Sequence, residues 1–291
     1  MGTIVSIQVA GTGTAHAESV ERAFQWFRRI EASCSRFNPE SELMRLTSQI
    51  GVAVPVSPIV FEAVQFALAV AEETGGAFDP TVGYQMEKSG FSRDYRTGET
   101  VQVSVSEGQR ANYRDILLDP DRETVTLARP MILDLGAVVK GLAIDMAARE
   151  LEPFRDYAID AGGDLYLGGS NPEGLAWSIG IRHPRQDNAV IESISVSNRA
   201  VCTSGDYERG SHILDARTGS PAEDAVSATV VAPNAMLADA LATAAFILGP
   251  VEGIRLLDRM GLEGLIVSPA LERFATEGMF RDYKIRPSTV L

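Results

Sequence analysis

Asp239 and Thr243 stand four residues apart in "AMLADALATAAFILG". On a helix that spacing puts both side chains on one face, one turn apart. Both offer oxygen, and magnesium favours hard oxygen ligands, takes one or two carboxylates from a protein and fills its shell with water and substrate phosphate. An exposed Asp with a tolerated Thr has the same spacing, so the pair alone leaves a metal site and an ordinary helix face open. In "LDLGAVVKG", Asp134 ends a β run and Gly136 turns the chain into a helix expected from near Val139 to about Leu151. Lys140 then falls in the first turn, against the helix dipole. That makes sense if Lys140 and the helix N-terminus receive an anion such as phosphate; a solvated lysine is the alternative.

"GGAFDP" places Ala77, Phe78 and Asp79 behind two glycines that permit unusual backbone angles or close approach to a ligand, with Pro80 fixing the carboxylate. "DAGGDLYLGG", with Asp160 and Asp164, reads as a Gly-rich turn entering a strand. "TSGDYERGSHILDARTG" gathers Ser204, Asp206, His212 and Asp215. His212 suits a general base or a donor to phosphate, and equally a satisfied strand histidine. The chain contains no GxSxG elbow and no Cys/His metal cluster, which weighs against a serine hydrolase or a zinc enzyme.

These residues need a scaffold, and 291 residues at 45% hydrophobic composition suffice for one large core or two smaller ones. Residues 2–10 read as a strand and 17–36 as an amphipathic helix; the turn "GTGTAH" between them lacks the third glycine of a dinucleotide fingerprint. Ser57 to Thr74 reads as a helix closed by Gly75 and Gly76. Short β segments follow in "YRDILLD", "TVTLA" and "MILDL", then, after the Lys140 helix, in "YAID", "LYLGG", "WSIGIRHP", "IESISVS" and "RAVCTSG". A helix over 234–248, a short one over 251–260 and a strand pair near 264–275 complete the chain. Helices segregated among runs of strands predict an α+β fold, with mixed or antiparallel sheets and flanking helices. One domain of two lobes over residues 1–291, with the ligand site in the cleft between them, is the expectation.

With 26 basic and 39 acidic residues the net charge is −13, which repels polyanions and excludes nucleic acid as a natural partner. An anionic small ligand would need local cations, and a bound metal is one source. No transmembrane segment is expected, because no uninterrupted apolar run reaches the length of a membrane helix. Cys34 and Cys202 read as two buried free thiols.

Taken in order, "MGTIVSI", "SRFNPESELMRL", "GGAFDPTVG", "LDLGAVVKGLAIDMAARELE", "DAGGDLYLGG", "TSGDYER", "HILDARTG" and "ADALATAAFILG" resemble the ApbE-type FAD:protein FMN transferases from Met1 to about Ser268. The resemblance implies magnesium-dependent transfer of FMN from FAD to a Thr or Ser hydroxyl of a target flavoprotein, releasing AMP. It implies metal ligation by Asp239, Thr243 and the backbone carbonyl of Ala137. Flavin contacts map onto Met1, Phe37, the stretch Ala77, Phe78 and Asp79, then Asp134, Lys140 and Ile213; His212 matches a histidine implicated in catalysis. Ala242 stands where some relatives carry a second metal-side Asp. An FAD pyrophosphatase and a non-catalytic flavin-binding protein are the rival readings. The leader of many relatives is missing, so the expected location is cytoplasmic as written, or periplasmic or membrane-anchored if a leader is removed.

Overall fold

The computed structural model describes residues 2–11, 13–93, 98, 100, 111–207, 210 and 212–283. In chain order the elements are β1 (Val5–Val9), α1 (Thr14–Cys34), α2 (Glu42–Thr47), β2 (Ala53–Pro55), α3 (Pro58–Glu73), α4 (Gly83–Lys88), β3 (Ile116–Asp119), β4 (Thr124–Leu127) and α5 (Gly136–Leu151). There follow β5 (Tyr157–Ala161), β6 (Asp164–Gly168), β7 (Trp177–Arg182), β8 (Val190–Val196), β9 (Arg199–Gly205), β10 (Leu214–Asp215) and β11 (Ser220–Pro221). The last are β12 (Ser227–Ala232), α6 (Ala235–Met260), β13 (Glu263–Val267), β14 (Arg273–Ala275) and α7 (Glu277–Arg281). The expected mixture of helices and antiparallel sheets is what the chain forms.

The chain divides into two compact units. The first comprises Met1–Gly2, Arg28–Val139 and Leu214–Pro221; the second comprises Thr3–Phe27, Lys140–Ile213 and Ala222–Leu291. In the first unit a three-stranded sheet runs β2-β4-β3, and β10 pairs with β11. Ser57 caps α3 by accepting from the Val60 amide, and Pro58 enters at the first turn, where its missing N–H goes unused.

The second unit is built on an antiparallel sheet of seven strands in the order β1-β5-β6-β9-β12-β13-β14. Alternate residues face opposite sides. Val201, Val231 and Leu265 join Ile181 and Ile194 of the β7–β8 hairpin and Met279 of α7 in one buried cluster. On the other face, Cys202 reaches the Ala235 carbonyl at the start of α6, and Ile266 lies against Gly253 further along it. Asn234 caps α6 by accepting from Leu237 N.

Three expectations change. "MILDL" is no strand: Ile132 makes a single bridge to Val82, and the Asp134 amide donates to the Pro80 carbonyl at 2.8 Å, so its groups pair with a turn instead of a ladder. The Lys140 helix starts at Gly136, because the Asp134 side chain accepts the Gly136 amide at 2.8 Å and opens the helix three residues early. The two expected C-terminal helices are both present, run together as α6 and parted by a kink at the non-helical Gly249 (φ 73°, ψ −178°) before Pro250. By length and mean hydropathy (1.5) α6 reaches the range of a membrane span, yet 67% of that stretch is buried within the protein. Finally, the short helices α2, α4 and α7 were not anticipated, since five or six residues carry too little periodicity to register.

Both cysteines are free and buried. Burial, with Glu42 adding to it, pushes the Cys34 thiol up to about 12, and burial pushes Cys202 well above the ordinary thiol range. The thiolate is the reactive form. Neither thiol should react with iodoacetamide in the folded protein at pH 8, whereas both should in denaturant; mass spectrometry of the labelled chain reads the difference.

Candidate functional site

In the second unit, α6 enters with Asp145 of α5 standing at its N-terminus. One carboxylate oxygen accepts the Ala235 amide at 2.6 Å and the other the Met236 amide at 2.9 Å, satisfying helix-end donors with a favourable charge. Gly141, one turn earlier on α5, packs so closely there that an added Cβ would overlap the Ala235 carbonyl and the Met236 backbone. These contacts fix α6 against α5, and so fix what lies on the next turn.

Asp239 is 5% exposed. Its Oδ2 accepts the Gly141 amide at 3.2 Å and its Oδ1 faces Lys140 Nζ at 3.3 Å. One turn on, the Thr243 hydroxyl shares a 2.9 Å hydrogen bond with the Ser204 hydroxyl of β9. Lys140 also pairs with Asp164, at the first position of β6. Lys140 is therefore neither in the first helical turn nor a solvated lysine: an early helix start moves it to the second turn, and two carboxylates hold it.

Asp164 is the residue that sequence reasoning passed over as part of a glycine turn. Its carboxylate, 2% exposed, accepts the Thr203 amide of β9 at 2.9 Å. Only the β6–β9 register brings that amide within reach, and no local pattern in the sequence encodes it.

In the first unit, Asp134 is shared between the Gly136 amide and Arg36, whose Nε donates to it at 2.5 Å. Arg36 is buried, donates to the Phe91 carbonyl and lies 4.1 Å over the ring of half-buried Phe37. It too was missed, although its neighbour Phe37 was singled out. Ala77, Phe78 and Asp79 are buried. Asp79 accepts the Thr81 and Tyr113 amides at 2.9 Å each, which makes its carboxylate a clamp on the local backbone. Burial raises its pKa above the usual carboxylate range despite those amides.

Ala137 is half-buried on the first turn of α5. His212 engages the Gly210 carbonyl through both its amide (2.7 Å) and Nδ1 (3.0 Å), and Ile213 is buried with its carbonyl accepting from Ala222. Met1 lies outside the described residues. Thus Lys140, Asp239 and Thr243 come together with Asp164 and Ser204 in one unit, while Phe37, Ala77, Phe78, Asp79, Asp134 and Ala137 belong to the other.

The donor set fits magnesium. A carboxylate and a hydroxyl on one helical face supply hard oxygens, and among the described residues there is no group of three or more His, Cys, Asp and Glu side chains of the kind that cages softer metals. Replacing Asp145 with alanine should destabilise the protein by about 2 kcal/mol, since two part-buried helix-end amides lose a charged acceptor. Urea unfolding checks this, and a loss below about 1 kcal/mol would mean that Asp145 does not anchor α6.

A family model described as the ApbE family matches residues 1–266. The FAD:protein FMN transferase of Treponema pallidum is 30% identical, over 96% of this chain and 85% of that protein. That of Haemophilus influenzae is 28% identical, over 95% and 87%. Among solved structures, the ApbE protein from Thermotoga maritima superposes with a TM-score of 0.86 at 31% identity, covering 98% of this chain and 97% of that one. The flavin transferase ApbE from Vibrio cholerae gives 0.81 at 25% identity, covering 97% and 96%.

Proposed function

The chain belongs to the ApbE family, and from that premise we propose that it transfers FMN from FAD to a Thr or Ser hydroxyl of a target flavoprotein, with AMP leaving. In this reaction the acceptor oxygen bonds to the FMN phosphorus as the phosphoanhydride bond to AMP breaks, and the hydroxyl proton is given up. The observation that carries the reading is the grouping of buried Asp239 with half-buried Thr243 and Lys140, which unites a carboxylate, a hydroxyl and a cation where a pyrophosphate would need them.

Asp239 and Thr243 would hold magnesium; the ion would offset pyrophosphate charge and ease departure of AMP. Lys140 adds a fixed positive charge to a protein of net charge −13, which otherwise disfavours a dianionic substrate. Phosphoryl transfer asks mainly for positioning and electrostatics, so no nucleophilic triad is required. Arg36 holds Asp134 in one orientation, which supports its assignment as a flavin contact. His212 is the candidate to receive the acceptor proton, its ring being oriented by the Gly210 carbonyl.

The test is direct. The protein, FAD, magnesium and a candidate flavoprotein are incubated together, and the acceptor is examined by mass spectrometry. The expected result is an acceptor heavier by one FMN on a hydroxyl residue, with AMP formed in equal amount. Free FMN with no flavin on any acceptor would instead identify a pyrophosphatase.

A further inference from the structure

The Asp164 carboxylate does more than end a turn. One oxygen accepts the Thr203 amide; the other is buried and pairs with the Lys140 ammonium. The same ammonium stands 3.3 Å from Asp239 Oδ1. We propose that Asp164 is a positioning residue that holds Lys140 between two carboxylates and thereby sets how tightly Asp239 binds a divalent metal ion.

The proposal rests on the magnesium reading above. An ammonium and a divalent cation compete for the same carboxylate, and inside a protein each unit of charge weighs far more than in water. Asp164, Lys140 and Asp239 together carry one net negative charge. With Asp164 neutral, Lys140 cancels Asp239 alone and the trio offers a cation nothing. With Lys140 neutral, two negative charges remain.

Binding of Mn2+ to the full-length chain, followed by electron paramagnetic resonance or calorimetry without FAD, tests this independently of turnover. Asp164→Asn keeps an oxygen for the Thr203 amide, removes the charge, and sets an NH2 that cannot accept from Lys140 in place of the second oxygen. It should weaken Mn2+ binding by about tenfold or more, whereas Lys140→Met should tighten it by a similar factor. The double variant, with its net charge restored, should return to within about threefold of the parent. A purely structural role for Asp164 predicts Asn behaving as Asp, and that result overturns the proposal. Should Asp164→Asn not fold, Lys140→Met and the double variant still decide: equal affinities in these two remove any influence of Asp164 on the metal. Asp239→Ala serves as the reference. If it binds Mn2+ as well as the parent, or the parent binds none, the metal reading itself is wrong; loss of binding in that variant with Asp164→Asn unaffected sinks only the role of Asp164.

Discussion

Replacing Asp239 with alanine should lower flavin transfer by at least about a thousandfold while leaving FAD binding weakened but measurable. The substitution removes the carboxylate that would hold magnesium and, with it, the acceptor for the Gly141 amide and a partner of Lys140. Lys140 retains Asp164 as a counter-charge, so the variant should still fold. Turnover is read by AMP release, binding by flavin fluorescence and folding by circular dichroism. Turnover within about tenfold of the parent would exclude Asp239 from the chemistry.

A methyl group at Gly141 should be nearly as damaging by a different route. The added carbon has no space beside the Ala235 carbonyl and the Met236 backbone, neither of which can rotate away as a side chain would. Overpacking of this kind typically destabilises by 1–3 kcal/mol, and here about 3 kcal/mol is expected because backbone must move. Parting α5 from α6 also carries the Gly141 amide away from Asp239, so residual folded protein should show turnover reduced by about a hundredfold. Thermal unfolding and AMP release on the same preparation separate the two effects. A Gly141→Ala protein as stable and active as the parent would mean that the approach of the two helices is not needed.

The two variants mark the limits of what the sequence disclosed. That Asp239 and Thr243 share one face of α6 was legible because a helix converts a spacing of four into one face, and that rule is local. The α+β class was legible for the same reason, from runs of strand and helix periodicity. Gly141 was not, since nothing near it in the chain reveals that α6, almost a hundred residues on, passes against it. Asp164 needed the β6–β9 register, and Arg36 a partner at Asp134, again far along the chain. "MILDL" misled because an apolar run of this length suits a strand or a buried extended segment alike, and backbone pairing with the 80–83 turn decided between them. The early start of α5 depended on one side chain, that of Asp134, turning back to cap it.

Each unit is assembled from three separate stretches of chain, and Lys140 meets Asp239 across 99 residues. During synthesis, then, the ribosome must release the last quarter of the polypeptide before the charged trio can close, because Asp239 lies on α6, which covers the sheet that β12 and β13 enter as its fifth and sixth strands. Contacts so distant in sequence slow folding, and the incomplete nascent chain exposes the β9 edge until β12 arrives. Neither unit can be cut out as one continuous fragment. A chain ending before Asn234 should accordingly emerge as a chaperone client, not as a smaller enzyme.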